Sequence, residues 1–454
     1  MDLSSSPQID AAEVQTPDIA ALIDGQGLTA FQIWVMVMIG GVVVMDGFDL
    51  QAMGFVAPAL VRDWRIDAAA LGPVFAAGLV GMLLGSLALS VLADRIGRRP
   101  VLLGSTVFFG ACMLATAAVH ALPQLAILRF VTGFGVGGVM GNAVALASEY
   151  SPQRRRASLL MWISCGFTGG AIAGGLISAA LIPIAGWRSV FMVGGVAPLV
   201  IAVIMAWGLP ESLQFLSLQP RHANKLAGLL RRISIDIDRF RGVRLAPEAP
   251  PRSRGSIVAL FQAGRGWVTP LLWAVSFANL LNLFFLSNWL PLLATRMGLA
   301  SSTAVLMGTT LQLGGLIGAL VMGPLIDRVG FFRVLVPTFL MAGIAVAAIG
   351  APGVPVSALF LVVFAAGVCV VGAQPAINAL AATLYPTEIR ATGVGWTLGV
   401  GRGGAIVGPI LAAQLLARRW SSQDLFFAAA VPAALSCLII IALAATVRAR
   451  RQER

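Results

Sequence analysis

Asp46 and Asp49 stand near the centre of a stretch, Ala30 to Leu60, that is otherwise almost wholly apolar. Three residues apart on a helix, they share one face. An aspartate in the middle of a membrane-spanning helix costs about 3 kcal/mol on insertion scales, so two on one face point into a protein interior or a wet cavity. There they can bind protons or a polar solute, or they can simply neutralise an arginine on a neighbouring helix. Two carboxylates close together in low dielectric do not both ionise easily, which suits such a pair to holding a proton. Two arginines sit in comparable surroundings: Arg129, and Arg402 flanked by Gly401, Gly403 and Gly404. A buried guanidinium needs an anionic partner, and its planar fork suits a carboxylate through two parallel bonds. His120 and His222 both lie away from the centres of apolar runs, so no histidine competes for a proton relay.

The elements that must position these groups are apolar. Of 454 residues 58% are hydrophobic and 11% charged, against about 25% charged in soluble domains, which marks a polytopic membrane protein. Two tyrosines and 51 glycines fit closely packed transmembrane helices. A net charge of +12 raises nucleic acid as a partner, and the hydropathy rules it out. Cys112, Cys165, Cys369 and Cys437 lie in apolar runs without metal-ligand spacing and read as packing residues.

Residues 1–28 carry five acids and no Lys or Arg, unlike a signal peptide, and read as a short cytoplasmic segment. Runs near the ~20 residues that span a bilayer follow at 30–60, 71–93, 101–119, 122–148, 158–183 and 187–208, and again at 267–295, 301–325, 334–351, 355–384, 392–416 and 423–447. The expected organisation is an all-α membrane protein of twelve helices. A six-helix bundle spans 29–210, a connector 211–266, a second bundle 267–447 and a tail 448–454. The connector holds ten basic residues and the Pro-rich run Pro247 to Pro251, with a helix expected around 221–233. With both termini and the connector in the cytoplasm, 23 of the 31 Lys and Arg fall on that side, the bias that sets membrane orientation.

The two halves repeat. Asp94-Arg95-Ile-Gly97-Arg98-Arg99 follows the second apolar run and Asp327-Arg328-Val-Gly330 follows the eighth, 233 residues on. Tyr150-Ser-Pro152 leading to Arg156-Ala157, and Tyr385-Pro386 leading to Arg390-Ala391, recur with the arginines 234 apart. Two motif pairs at one offset indicate a duplicated six-helix unit, the arrangement of transporters that rock two bundles around a central site.

On these residues the chain resembles the major facilitator superfamily. Asp94-Arg-x-Gly-Arg-Arg99 is similar to its signature between helices two and three, and Arg129-x3-Gly133-x-Gly135-x-Gly137 to its second motif. Ser90 departs from the first motif's usual glycine, loosening local packing, while Gly323 fills that place in the second copy. Asp46-Gly-Phe-Asp49, Glu149-Tyr-Ser-Pro152, Cys165-Gly-Phe-Thr168, Asn279-Leu-Leu-Asn282, Ser287-Asn-Trp-Leu-Pro291, Tyr385-Pro-Thr-Glu388-Ile-Arg390-Ala-Thr-Gly393 and Gly401-Arg402 are similar to the aromatic acid:proton symporters of the 4-hydroxybenzoate/protocatechuate type. Leu209-Pro-Glu-Ser212 also resembles sugar porters and weighs little.

The resemblance implies two pseudo-symmetric six-helix bundles in a bacterial inner membrane. It implies import of a small aromatic carboxylate with protons, driven by the proton gradient without cofactor or metal, with Asp46 and Asp49 essential. Arg402 is then expected to anchor the substrate carboxylate, or else to pair with a protein acid. Asn279, Asn282, Asn288, Gln312, Gln374 and Asn378 supply polar atoms for substrate, or for helix-to-helix bonds. Phe48, Phe284, Phe285, Trp289 and Trp396 clamp a ring, or simply pack. Arg129 pairs with Asp46 or Asp49. With it, Asp94, Arg95, Arg98, Arg99, Glu149 and Arg156, and their counterparts Asp327, Arg328, Glu388 and Arg390, are similar to the superfamily's conformational latches. The expected partners are the substrate, protons and membrane lipid, with no nucleic acid and a monomeric state. Alternatives are a porter of another organic anion or sugar, or a non-transporting chemoreceptor. The sequence contains no P-loop, His-Glu-x-x-His or Gly-x-Ser-x-Gly, so an enzyme lacks support.

Overall fold

The computed structural model describes residues 23, 27–218, 222–233, 257–262 and 265–452. Among them are twelve helices long and apolar enough to cross a membrane: α1 Ala30–Trp64, α2 Ala68–Ile96, α3 Arg98–Ala117, α4 Leu122–Glu149, α5 Gln153–Ala185, α6 Arg188–Gly208, α7 Val268–Arg296, α8 Ser301–Val329, α9 Phe331–Ile349, α10 Val356–Leu384, α11 Thr387–Ala417 and α12 Ser422–Gln452. Each overlaps the run expected for it, several reaching into the polar flanks: α5 begins at Gln153 rather than 158. The even count puts both ends of the helical series on one face, called here the terminal face.

Local chemistry sets the helix ends. Thr29 and Gln32 form a reciprocal capping box at the start of α1. The Gln32 Nε2 also donates to the Tyr150 carbonyl (2.9 Å), tying α1 to the end of α4. Gly97 (φ +103°) and Gly330 (φ +89°) break α2 from α3 and α8 from α9. The duplicated Asp-Arg-x-Gly element is thus a backbone device: only glycine takes that conformation freely.

The repeat continues in the packing. Gly170 of α5 lies against the Val44 carbonyl of α1, and Gly404 of α11 against the Phe277 carbonyl of α7. Gly133 of α4 meets the Gly78 carbonyl of α2, and Gly367 of α10 meets the Leu311 carbonyl of α8. Such close backbone approach drives helix association where lipid removes the hydrophobic incentive. The bundles touch along α1–α7, α2–α11 and α5–α8. Contacts at Gly54–Ser287, Gly72–Ala413 and Gly175–Thr309, with an Arg62 Nη2 bond to Ser301 Oγ of 3.1 Å, lie in the half away from the terminal face.

Of the connector, a short helix Ala223–Arg232 is described within the span expected to be helical. It buries Leu226 and Leu230 with Leu213 and Leu216. The acidic segment before Ile23, the Pro-rich run and most connector arginines lie outside the described residues. Ser90 turns its hydroxyl onto the Ser86 carbonyl of its own helix (2.6 Å), with Gly141 opposite at ordinary contact distance.

Candidate functional site

α1 carries the two aspartates into the protein. Gly47 and Gly170 let the helix lie so close to α5 that Asp46 and Asp49 are each 2% exposed. Their fates then differ. Asp49 is gripped by Arg129 of α4: Nη1 donates to Oδ1 (2.9 Å), and Nη2 to Oδ2 (3.1 Å) and to the Asp49 carbonyl (3.4 Å). This is the bidentate fork geometry at its most buried, Arg129 being 4% exposed. Of the alternatives open for Arg129, the partner is Asp49. Asp46 makes no such pair. Among the described residues no donor reaches its Oδ1, and its charged neighbours are Asp49 and Arg402.

Arg402 projects from α11 into a mid-depth cavity of about 240 Å³, where its Nη1 donates to Ser86 Oγ of α2 (2.6 Å). The walls come from both bundles: Leu50, Gln51, Leu79, Met82, Leu83, Phe167 and Thr168 on one side, and Leu280, Leu283, Phe284, Ser287, Gln312, Val371, Gln374, Leu398 and Ala405 on the other. An apolar chamber with few polar groups and, among the described residues, a single lining cation fits a small, flat, hydrophobic anion. Cavities for drug-sized ligands run from roughly 300 Å³ upward, so this one is matched to a single small ring.

A second space of about 20 Å³, room for one water, is lined by Asp49, Arg129 and, from the opposite bundle, Asn288. Leu50, Leu79 and Met82 line both spaces, forming the partition between the ion pair and the larger cavity.

The structure separates the other candidates. Gln374, Gln312 and Phe284 line the cavity with Arg402. Asn279 stands behind Gln374 and donates to it (2.8 Å), and Gln374 donates to Asn378 (3.2 Å). Asn282 is buried outside the cavity lining. Phe48 packs against Gly174 and Gly194 in the core of the first bundle. Trp289 is fully buried edge-on to Phe75 (centroids 5.3 Å apart), and Trp396 is 40% exposed and stacked on Trp273 (5.6 Å). Phe285 packs on Phe426. The aromatic residues the cavity does present are Phe284 and Phe167. Sequence reasoning passed over Phe167, Ser86, Gln51 and Thr168. The quoted Cys165-Gly-Phe-Thr168 already contained two of them, but an isolated Phe or Thr in an apolar run carries no sign of which way it faces.

At the terminal face the first charge cluster is built within one bundle. Arg98 pairs with Glu149, whose Oε2 also accepts from the Ser212 hydroxyl (2.7 Å) and the Gln214 N–H (3.2 Å). Glu211 accepts from the Arg99 N–H (3.0 Å), and Tyr150 donates to the Glu211 carbonyl (2.7 Å). Burial, with Glu149 and Glu211 nearby, pushes the Tyr150 phenol well above its usual range, so it stays a neutral donor. Leu209-Pro-Glu-Ser212, given little weight in sequence, is therefore part of this network. Arg156 is half-buried, its Nε without a partner among the described residues, and Arg390 Nε donates to the Tyr385 carbonyl (3.4 Å). Asp94, Arg95, Asp327, Arg328 and Glu388 are exposed.

The model of the Major Facilitator Superfamily matches residues 37–311 and 272–454. The chain is 40% identical to the 4-hydroxybenzoate transporter PcaK of Pseudomonas putida, over 93% of this chain and 95% of that protein. It is 37% identical to the Gallate transporter of the same organism, over 94% of each. The inward-open xylose transporter XylE of E. coli shares the fold, with a TM-score of 0.72 at 16% identity over 90% of this chain and 95% of that one. The protein is a multi-pass membrane protein and not an enzyme, and it belongs to the Major Facilitator Superfamily.

Proposed function

We propose that this protein imports a small aromatic carboxylate, such as 4-hydroxybenzoate, protocatechuate or another benzoate, together with protons by alternating access. The observation that carries the reading is Arg402. It is a guanidinium at mid-depth in an otherwise apolar, ring-sized cavity, bonded to a neutral hydroxyl of the opposite bundle. A benzoate would offer that fork a carboxylate and lay its ring between Phe167, Phe284 and the leucines. Relatives named for 4-hydroxybenzoate and gallate support the substrate class.

Protons enter the account through Asp46 and Asp49. Asp49 answers the buried charge of Arg129, while Asp46 has an oxygen free to carry a proton beside Arg402. Protonation from the outside removes a negative charge near Arg402 and frees that cation for a substrate carboxylate. Loss of the proton inside restores the competition and expels the substrate, so the gradient does the work without a cofactor. The terminal face is read as cytoplasmic on the placement of Lys and Arg. Closure at Gly54–Ser287, Gly72–Ala413 and Arg62–Ser301 then describes an inward-facing form. The Asp94/Glu149 and Asp327/Glu388 clusters act as the latch of the outward-facing form, in the inner membrane, in a protein working as a monomer.

Uptake of labelled 4-hydroxybenzoate into proteoliposomes tests this. The expected result is accumulation under an inward proton gradient that an uncoupler abolishes and that Arg402→Ala lacks. Failure of 4-hydroxybenzoate and of a panel of benzoates to enter would overturn the substrate class.

A further inference from the structure

α10 leaves α-helical geometry at Gly367–Val371, where one π turn is inserted. Such turns disturb the regular ladder of backbone bonds and concentrate at functional sites. Here the Val370 carbonyl accepts a bond from Asn279 Nδ2 of α7 at 3.2 Å. A carbonyl oxygen only accepts, so this contact fixes which way the Asn279 amide turns. The same amino group donates its other proton to Gln374 Oε1 at 2.8 Å. Gln374 is thereby held with its oxygen toward α7, and its Nε2 donates to Asn378 Oδ1 at 3.2 Å. Nε2 has two protons, and the second is left for the cavity whose wall Gln374 forms.

Two other groups of the wall can donate, while Gln51 and Thr168 can donate or accept. Gln312 Nε2 donates to Ser287 Oγ (3.2 Å), which leaves the Ser287 proton free to be given away, and Arg402 has donors only.

We infer that Asn279, although it stands behind the cavity wall, sets the hydrogen-bond polarity of the substrate site. Through Gln374 it makes that part of the wall a donor and selects, at the ring position facing it, substituents that accept a hydrogen bond over those that only donate. This rests on the reading of the cavity as a site for a small aromatic carboxylate and adds the rule by which it discriminates among them. An unmatched polar group in a water-poor site is penalised more than a missing methylene, so the orientation of one amide is enough to rank close analogues. Asn279 is a positioning residue in this scheme, acting only through Gln374.

The test is calorimetric binding to the full-length protein in lipid nanodiscs. The ligands are benzoate and benzoates carrying, at position 3 or 4, a methoxy group that only accepts or an amino group that chiefly donates. Wild type is expected to bind the methoxy compound about tenfold more tightly than the amino compound at the position that reaches Gln374. Asn279→Leu keeps the bulk and removes the donor that holds the Gln374 oxygen toward α7. The Gln374 amide is then free to turn, and the preference for methoxy over amino shrinks to within about twofold, with benzoate itself bound within about twofold of wild type. Gln374→Met erases the preference. An unchanged preference in either variant, or none in wild type at either position, overturns the inference. Failure of wild type to bind benzoate and every analogue would overturn the functional reading instead.

Discussion

At the scale of single residues, the two aspartates of one motif do different work. Removing one partner of a buried ion pair costs about 3–5 kcal/mol, because the other charge stays behind. Asp49→Asn would strand Arg129, so a fall in melting temperature is expected in detergent. Asp49→Asn with Arg129→Gln should recover that stability while leaving gradient-driven accumulation lost. Asp46→Asn breaks no pair and should melt with wild type yet fail to accumulate substrate; a variant that accumulates normally would contradict its role. The sequence displayed Asp46 and Asp49 as a pair because their spacing puts them on one helix face. Which of them meets Arg129 depends on how α1 and α4 are rotated against each other, and no spacing within either helix carries that. The aromatic candidates show the same limit. Trp289 and Trp396 look alike in an apolar run, but one is sealed in the core and the other stacks at an exposed surface.

Among the elements, close glycine contacts decide the architecture. A side chain at Gly133 would overlap the Gly78 carbonyl, whereas no described residue lies within 4 Å of a Cβ at Gly104 of α3. Gly133→Leu should therefore lose the monodisperse peak in fluorescence-detected size exclusion, and Gly104→Leu should keep it. Equal profiles would show that α2 and α4 have room to separate. The twelve helices were legible because bilayer thickness imposes one length on every span, and the duplication was legible because Gly97 and Gly330 both need the same backbone. The π turn of α10 was not. Gly-Val-Cys-Val-Val reads as ordinary helix, and its departure lies where Gly367 meets the Leu311 carbonyl of α8 and Val370 receives the Asn279 bond, contacts with other helices that no local pattern carries.

For the whole molecule, the two bundles hold a small-ring cavity between them, with contact on the face away from the termini. Arg62 and Ser301 meet there from opposite bundles. In a background lacking the four free cysteines, Arg62→Cys with Ser301→Cys should be bridged by a short bis-methanethiosulfonate reagent that spans the gap left by the arginine side chain, stop transport and recover on reduction. Transport that persists through complete cross-linking would contradict rocking about the central site. The central claim is that substrate and proton move together. Its most direct test is an external pH electrode in a suspension of lightly buffered proteoliposomes, with 4-hydroxybenzoate added outside and no gradient imposed. Wild type is expected to alkalinise the medium as substrate enters, and Asp46→Asn to leave the pH flat. Substrate entry into wild-type vesicles with no change in external pH would contradict the account.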